Sequence, residues 1–245
     1  MSEKLRILVS GILAGAVVLI IGGALVSSLK PKLPFMVALK LKARVQCGGV
    51  LLGDQWVLTA AHCVVSKVAT DFKVEAHTTL TGLYKKEERP VEKYCVNPGF
   101  DDNSDPFVHD LAVVKLAKPF SNVTPAGFGV LTSKTVTAAG WNSAAYGSEL
   151  FEVTVPYVDW NYCNENHEAE FKKKITSEHI CFGEENKGVC NGDSGGPLLD
   201  ASTHVVVGVI SDSPKSCVQK NAWATAVQVD SVWVQNVING TAACK

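Results

Sequence analysis

The chain has 245 residues, 47% of them hydrophobic and 19% charged, enough to bury a sizeable core and too apolar for a disordered protein. Its formal net charge is −1 at pH 7 and no long run of like charge occurs, which excludes the electrostatic footprint of a nucleic-acid or anionic-membrane binder. Eight cysteines, none in a C-x-x-C spacing, give no metal site and no redox motif, and are read as disulfides of an oxidising compartment.

The amino terminus agrees with that compartment. Lys4 and Arg6 precede an uncharged run from Ile7 to Leu29 with Ala14, Gly15 and Ala16 inside it, the pattern of a secretory signal. The stretch Ile7 to Val26 is also long enough for a signal anchor. Beyond residue 30, β-branched and apolar runs alternate with Gly, Pro, Asn and Asp. "PFMVALKL", "GGVLLGDQWVLTA", "HDLAVVKLA", "LFEVTVPYV" and "HVVVGVI" each read as a strand. Many short strands with no fixed repeat predict an all-β barrel or sandwich rather than a propeller or solenoid. Two stretches read as helices, "NYCNENHEAEFKKKI" and "DSVWVQNVI", the second with Val232, Trp233 and Val237 at helical spacing behind Asp230 or Ser231 as cap. Asn122 and Asn239 begin glycosylation sequons.

Three motifs carry chemistry. "WVLTAAHC" sets His62 beside Cys63 at the end of an apolar run; alone, a histidine there is more often structural. In "VCNGDSGGPLL", Gly192, Gly195 and Gly196 surround Ser194. Such a turn can aim several backbone N–H groups at one point, as an oxyanion hole requires. "HDLAVVKL" supplies Asp110, an acid able to orient a histidine base.

In that order, His62, Asp110 and Ser194 resemble the trypsin/chymotrypsin family of serine peptidases, since "LTAAHC" and "GDSGGP" match its signatures and "CGG" at Cys47 to Gly49 sits where the family has it. The resemblance covers residues 20–245 and implies two packed antiparallel six-stranded β-barrels, about 34–128 and 134–228, with a carboxy-terminal helix at about 230–239. It implies Ser194 as nucleophile, His62 as general base, Asp110 as its orienting acid, and the N–H groups of Gly192 and Ser194 as oxyanion donors. It places Ser211 against the catalytic acid, on the cleft. The family pairs Cys47 with Cys63, Cys163 with Cys181 and Cys190 with Cys217, leaving Cys95 and Cys244 as the remaining two. The implied partners are protein or peptide substrates and proteinaceous inhibitors, for a secreted monomer that needs no cofactor and binds no nucleic acid.

Family members begin their mature chain with a run like Ile20-Ile21-Gly22-Gly23, and His62 lies 42 positions after Ile20. The resemblance then pairs the freed amino group of Ile20 with Asp193, leaving residues 1–19 as signal peptide and short leader. Leu19 is not basic, so a trypsin-like activating cut is unavailable at this junction. Either a second enzyme trims a product cut after Ala16, or cleavage falls after Ala24 and the match of Ile20 to Gly23 is accidental.

The floor of the family's primary pocket lies six residues before the nucleophile, at Gly188, followed by Val189, and carries no carboxylate. A basic side chain would lose its hydration there without compensation, so an apolar preference is expected. Ser213 and Ala222 fall on the pocket's walls, Asp212 stands where most relatives have Trp, and Trp223 is a candidate to fill the pocket. Some relatives are catalytically silent binding proteins, which keeps that alternative open. An esterase of unrelated fold has its triad in the order Ser, acid, His, the wrong order here.

Overall fold

The computed structural model describes residues 33–80, 83–104, 106–121, 123–141, 150–171, 175–185, 187–213 and 223–245. The leader, Ile20, Asn122, Cys217 and Ala222 lie outside these residues.

Twelve strands form two closed barrels with the same connectivity. The first runs β1 (Met36–Leu41), β2 (Arg44–Leu51), β3 (Trp56–Thr59), β4 (Phe72–Leu80), β5 (Leu83–Val96) and β6 (Ala112–Leu116), closing in the order β1-β2-β3-β6-β5-β4. The second runs β7 (Thr135–Gly140), β8 (Phe151–Val158), β9 (His179–Phe182), β10 (Pro197–Asp200), β11 (Val206–Asp212) and β12 (Ala224–Gln228), closing as β10-β11-β12-β9-β8-β7. Neighbouring strands pair antiparallel, and closure leaves no edge for other chains to pair with. Three α-helices complete the described chain: α1 (Ala61–Val64), α2 (Trp160–Phe171) and α3 (Ser231–Ile238). The two-barrel, all-β expectation therefore holds. Asp230 caps α3, its carboxylate accepting from Trp233 N at 2.9 Å.

Strand alternation builds two cores at once. On β10, β11 and β12, Leu198, Ile210 and Ala226 point into the second barrel, while Leu199, Val209 and Val227 pack with the core of the first. Successive side chains on a strand face opposite sides, so one set of strands fills its own barrel and seals the junction between the two. Trp233, Val234 and Val237 of α3 join the first-barrel core. This fixes the carboxy-terminal helix across the junction.

One sequence expectation needed correction in detail, and one hairpin went unread. "GGVLLGDQWVLTA" is not one strand: it is the end of β2, a turn at residues 52–55, and β3. β4 and β5, the longest hairpin, were outside the apolar runs because their outer face is charged. There Glu75 stands directly opposite Glu88, an unfavourable like-charge pair. Lys40 on β1 bonds to both carboxylates. Lys86 reaches Glu75 at 3.2 Å, so a cation ladder offsets the repulsion. Burial would raise the Glu75 carboxyl, but the bonds from Lys40 and Lys86 outweigh it and hold it below its ordinary range.

Candidate active site

The site lies where the barrels meet, and each barrel supplies part of it. The first barrel delivers His62 from α1, directly after β3, and Asp110 from the loop entering β6. Asp110 is fully buried. Its carboxylate accepts His62 N through Oδ1 at 2.8 Å and faces His62 Nδ1 through Oδ2 at 2.7 Å. Ser211 on β11 donates its hydroxyl to the same Oδ2 at 2.6 Å. Three contacts with a buried carboxylate stabilise its charge and fix the imidazole's orientation. Phe107 stacks on the imidazole, with ring centroids 5.3 Å apart. Lys67 donates to the carbonyls of His62 and Cys63 at 3.3 and 3.1 Å; burial lowers its pKa.

The second barrel delivers Ser194 on the turn before β10. Gly192 and Gly195 adopt φ of +100° and +79°, which a side chain would strain. The turn is docked on the first barrel through backbone, Gly48 N donating to Ser194 O at 2.7 Å, and tied to its own barrel by Gly195 N donating to Ile210 O on β11 at 2.8 Å. Side chains would not fit in this junction. A Cβ on Gly48 would lie 2.8 Å from Gly196 Cα, and one on Gly195 2.2 Å from Thr59 Oγ1. The His62 ring meets Asp110 through Nδ1 and Cys63 Sγ through Nε2 at 3.7 Å, and among the described residues no hydrogen bond joins it to Ser194. Among the described residues the N–H groups of Gly192 and Ser194 donate to no protein acceptor.

Asp193 is fully buried, and its Oδ2 accepts Cys190 N at 2.7 Å. It presses on Gly140, where a Cβ would lie 2.0 Å from Asp193 Oδ1. Gly140 carried no sequence signal of this role.

Of the residues assigned to the pocket, Gly188 is half-buried and Val189 fully so, its side chain within the second-barrel core beside Val136, Ile180 and Leu198. Ser213 is half-buried, and its N–H donates to Asp212 Oδ1 at 2.9 Å. Trp223 packs against Val158, Cys163, Ile175 and Cys181, with Tyr162 tilted against it at 6.1 Å. Its bulk is taken up at the base of α2.

Disulfides join Cys47 to Cys63, Cys163 to Cys181 and Cys95 to Cys244; Cys190 is also disulfide-bonded. The sulfurs of Cys47 and Cys63 crowd the His62 ring as three metal ligands would, but the S–S bond removes both as thiolates. Asn239, the described sequon, is exposed at the end of α3.

Comparison with known proteins agrees with this architecture. The family model described as Trypsin matches residues 20–234. The chain is 31% identical to the venom peptide isomerase heavy chain of Agelenopsis aperta, over 72% of this chain and 82% of that one. It is 29% identical to snake venom serine protease KN13 of Trimeresurus stejnegeri, over 86% and 85%. Two longer relatives, serine protease filzig of Drosophila melanogaster and human mannan-binding lectin serine protease 1, are matched over 10% and 32% of their lengths. Among solved structures, mouse brain neuropsin, a serine protease, superposes with a TM-score of 0.71 at 25% identity, over 84% of this chain and 95% of that one. Two six-stranded barrels with His62, Asp110 and Ser194 brought to their junction, and a family model spanning most of the chain, lead to one conclusion: this protein belongs to the trypsin family and is a serine endopeptidase.

Proposed function

We propose that Ser194 is the nucleophile, His62 its general base and then acid, and Asp110 the group that holds the imidazole tautomer. The observation that carries this is the Asp110 to His62 contact at 2.7 Å, which leaves Nε2 as the proton acceptor. Attack by Ser194 Oγ on a peptide carbonyl sends its proton to His62 Nε2 and the carbonyl electrons to oxygen. The N–H groups of Gly192 and Ser194, which have no acceptor within the described chain, would hold that oxyanion. Collapse expels the amine, protonated by His62, and water repeats the sequence on the acyl-enzyme. Contacts of this kind commonly tighten only when substrate binds. That accounts for Ser194 standing without a bond to the His62 ring.

The enzyme is read as secreted, with a mature chain beginning at Ile20. A buried carboxylate such as Asp193 is stabilised by a nearby cation, and the Ile20 amino group is the cation that the family pattern supplies. The primary pocket is read as neutral. Gly188 and Val189 bring no charge, Ser213 narrows one wall, and Trp223 is spent elsewhere. Burial of apolar surface, roughly 25 cal/mol per Å², is then the favourable term. Leu, Met and Val should precede the scissile bond more often than Lys or Arg.

One experiment tests all three parts: labelling the secreted protein with peptidyl phosphonates that differ only in the residue at the reacting position, read by intact mass. Expected are one adduct, absent from Ser194→Ala, on a chain starting at Ile20, formed faster with Leu, Met or Val than with Lys or Arg. An unlabelled wild type would instead favour a catalytically silent binding protein. A chain starting at Leu25 removes the Ile20 to Asp193 pair, and faster labelling by Lys or Arg removes the neutral pocket.

A further inference from the structure

We infer that Glu178, on the second barrel, is a positioning residue for Asp110. This rests on the triad assignment above. Asp110 sits in a tight turn closed by Leu111 N donating to His109 O at 2.7 Å. The residue before it, His109, has φ of +50°, a left-handed conformation that is costly without glycine and persists only where its surroundings hold it. Glu178 does the holding. Both its carboxylate oxygens accept His109 N at 3.1 Å, and Oε2 also meets His109 Nδ1 at 3.0 Å.

The seat for the imidazole is built from both sides. Gly99 lies beneath it, where a Cβ would stand 2.6 Å from His109 Cδ2. Thr176 Oγ1 donates to Glu178 Oε1 at 3.3 Å, and the backbone of Glu178 is fixed by Gln228 N donating to its carbonyl at 2.8 Å. The next residue continues the grip. His179 is buried, its Nδ1 faces Thr176 N at 3.1 Å, and its Nε2 meets Phe107 O at 3.0 Å. The second barrel thus holds residues 107 and 109, which flank the approach to Asp110, through two consecutive side chains. Phe107 covers the His62 ring and Asp110 orients it. Releasing Glu178 should let the turn at His109 relax and Asp110 withdraw from His62.

The test uses the full chain, with rates normalised to the fraction labelled at Ser194. Glu178→Ala is expected to lower kcat by about tenfold or more, with KM little changed. It should also move the acid limb of the kcat/KM profile to lower pH, because a displaced Asp110 stabilises the His62 imidazolium less. Other groups that titrate nearby are His109, His179 and Asp230 around Glu178 and Lys67 behind His62. Glu178→Gln separates them: it keeps an oxygen for His109 N, so it should recover most of kcat and the original limb. If Glu178→Ala folds poorly, Gly99→Ala displaces the same ring from the other side and should shift the same limb. A normalised kcat within twofold of wild type and an unmoved limb would overturn the inference. So would a loss confined to the labelled fraction, which marks a merely structural role. Absence of labelling in the wild type itself would instead strike the triad reading, and the positioning role with it.

Discussion

At the scale of single residues, Gly192 and Gly195 are required by their left-handed backbone, but Gly140 and Gly196 beside the same turn are set by contact. Gly140 shows this, because its backbone is not left-handed and yet a methyl group there would overlap the Asp193 carboxylate at 2.0 Å. Asp193 is fully buried and tied by Oδ2 to Cys190 N, so it cannot yield without moving the turn that carries Gly192 and Ser194. Gly140→Ala is therefore expected to lower kcat/KM by at least about a hundredfold, through misplacement of those two N–H groups, while both barrels still form. Gly53→Ala is the control, since nothing lies within 4 Å of a Cβ there. Equal kcat/KM for the two variants would contradict the expectation. The sequence flagged His62, Asp110 and Ser194 through their motifs. It was silent about Gly140, Phe107 and Glu178, whose importance arises only from what folding brings against them.

At the scale of elements, legibility followed the hydrophobic pattern. "LFEVTVPYV" and "HDLAVVKLA" contain β8 and β6 because their apolar residues carry the strand signal themselves. β5, "LYKKEERPVEKYCV", did not stand out, since its few core residues, Val91, Cys95 and Val96, are diluted by charged ones whose ion pairs to neighbouring strands only the register reveals. Asp200 at the end of β10 was equally unreadable. It is buried and ties residues 132 and 133 to the turn after its own strand, accepting Thr132 N at 2.7 Å, Thr132 Oγ1 at 2.8 Å, Ser133 N at 2.9 Å, Ser202 N at 2.8 Å and Ser202 Oγ at 2.6 Å. Burial alone would raise its pKa, but these bonds prevail and hold the carboxyl far below its ordinary range. The unfolded chain then binds this proton more readily than the native one. The stabilisation is complete above about pH 5, begins to fade as pH falls toward the unfolded carboxylate pKa of about 3.9, and is lost only on approach to the much lower folded value. Melting temperatures of wild type and Asp200→Asn should differ most at neutral pH, with the gap narrowing steadily as pH falls from about 5 toward 3. A gap that stays constant across that range would rule out Asp200 as a source of acid sensitivity.

At the scale of the molecule, the Cys95–Cys244 disulfide spans 149 positions of chain. It fastens the segment after α3 to β5 of the first barrel, and Lys245 adds bonds from its N–H to Val96 O at 3.1 Å and from Nζ to Phe100 O at 2.6 Å. Everything from the end of β5 through the second barrel and α3 is therefore a closed covalent circle with both ends on the first barrel. An endopeptidase is exposed to its own kind, and a ring tolerates what a line does not. One cut in the ring opens it without releasing a fragment, and the severed halves face each other at the high effective concentration of a tether. Self-digested enzyme should run as an intact chain on a non-reducing gel, separate into pieces only after reduction, and keep much of its Ser194 labelling. With Cys95→Ser and Cys244→Ser together, the same cut should shed a fragment and the labelling with it. Retention of labelling by the nicked double variant would mean that the barrels hold together without the ring.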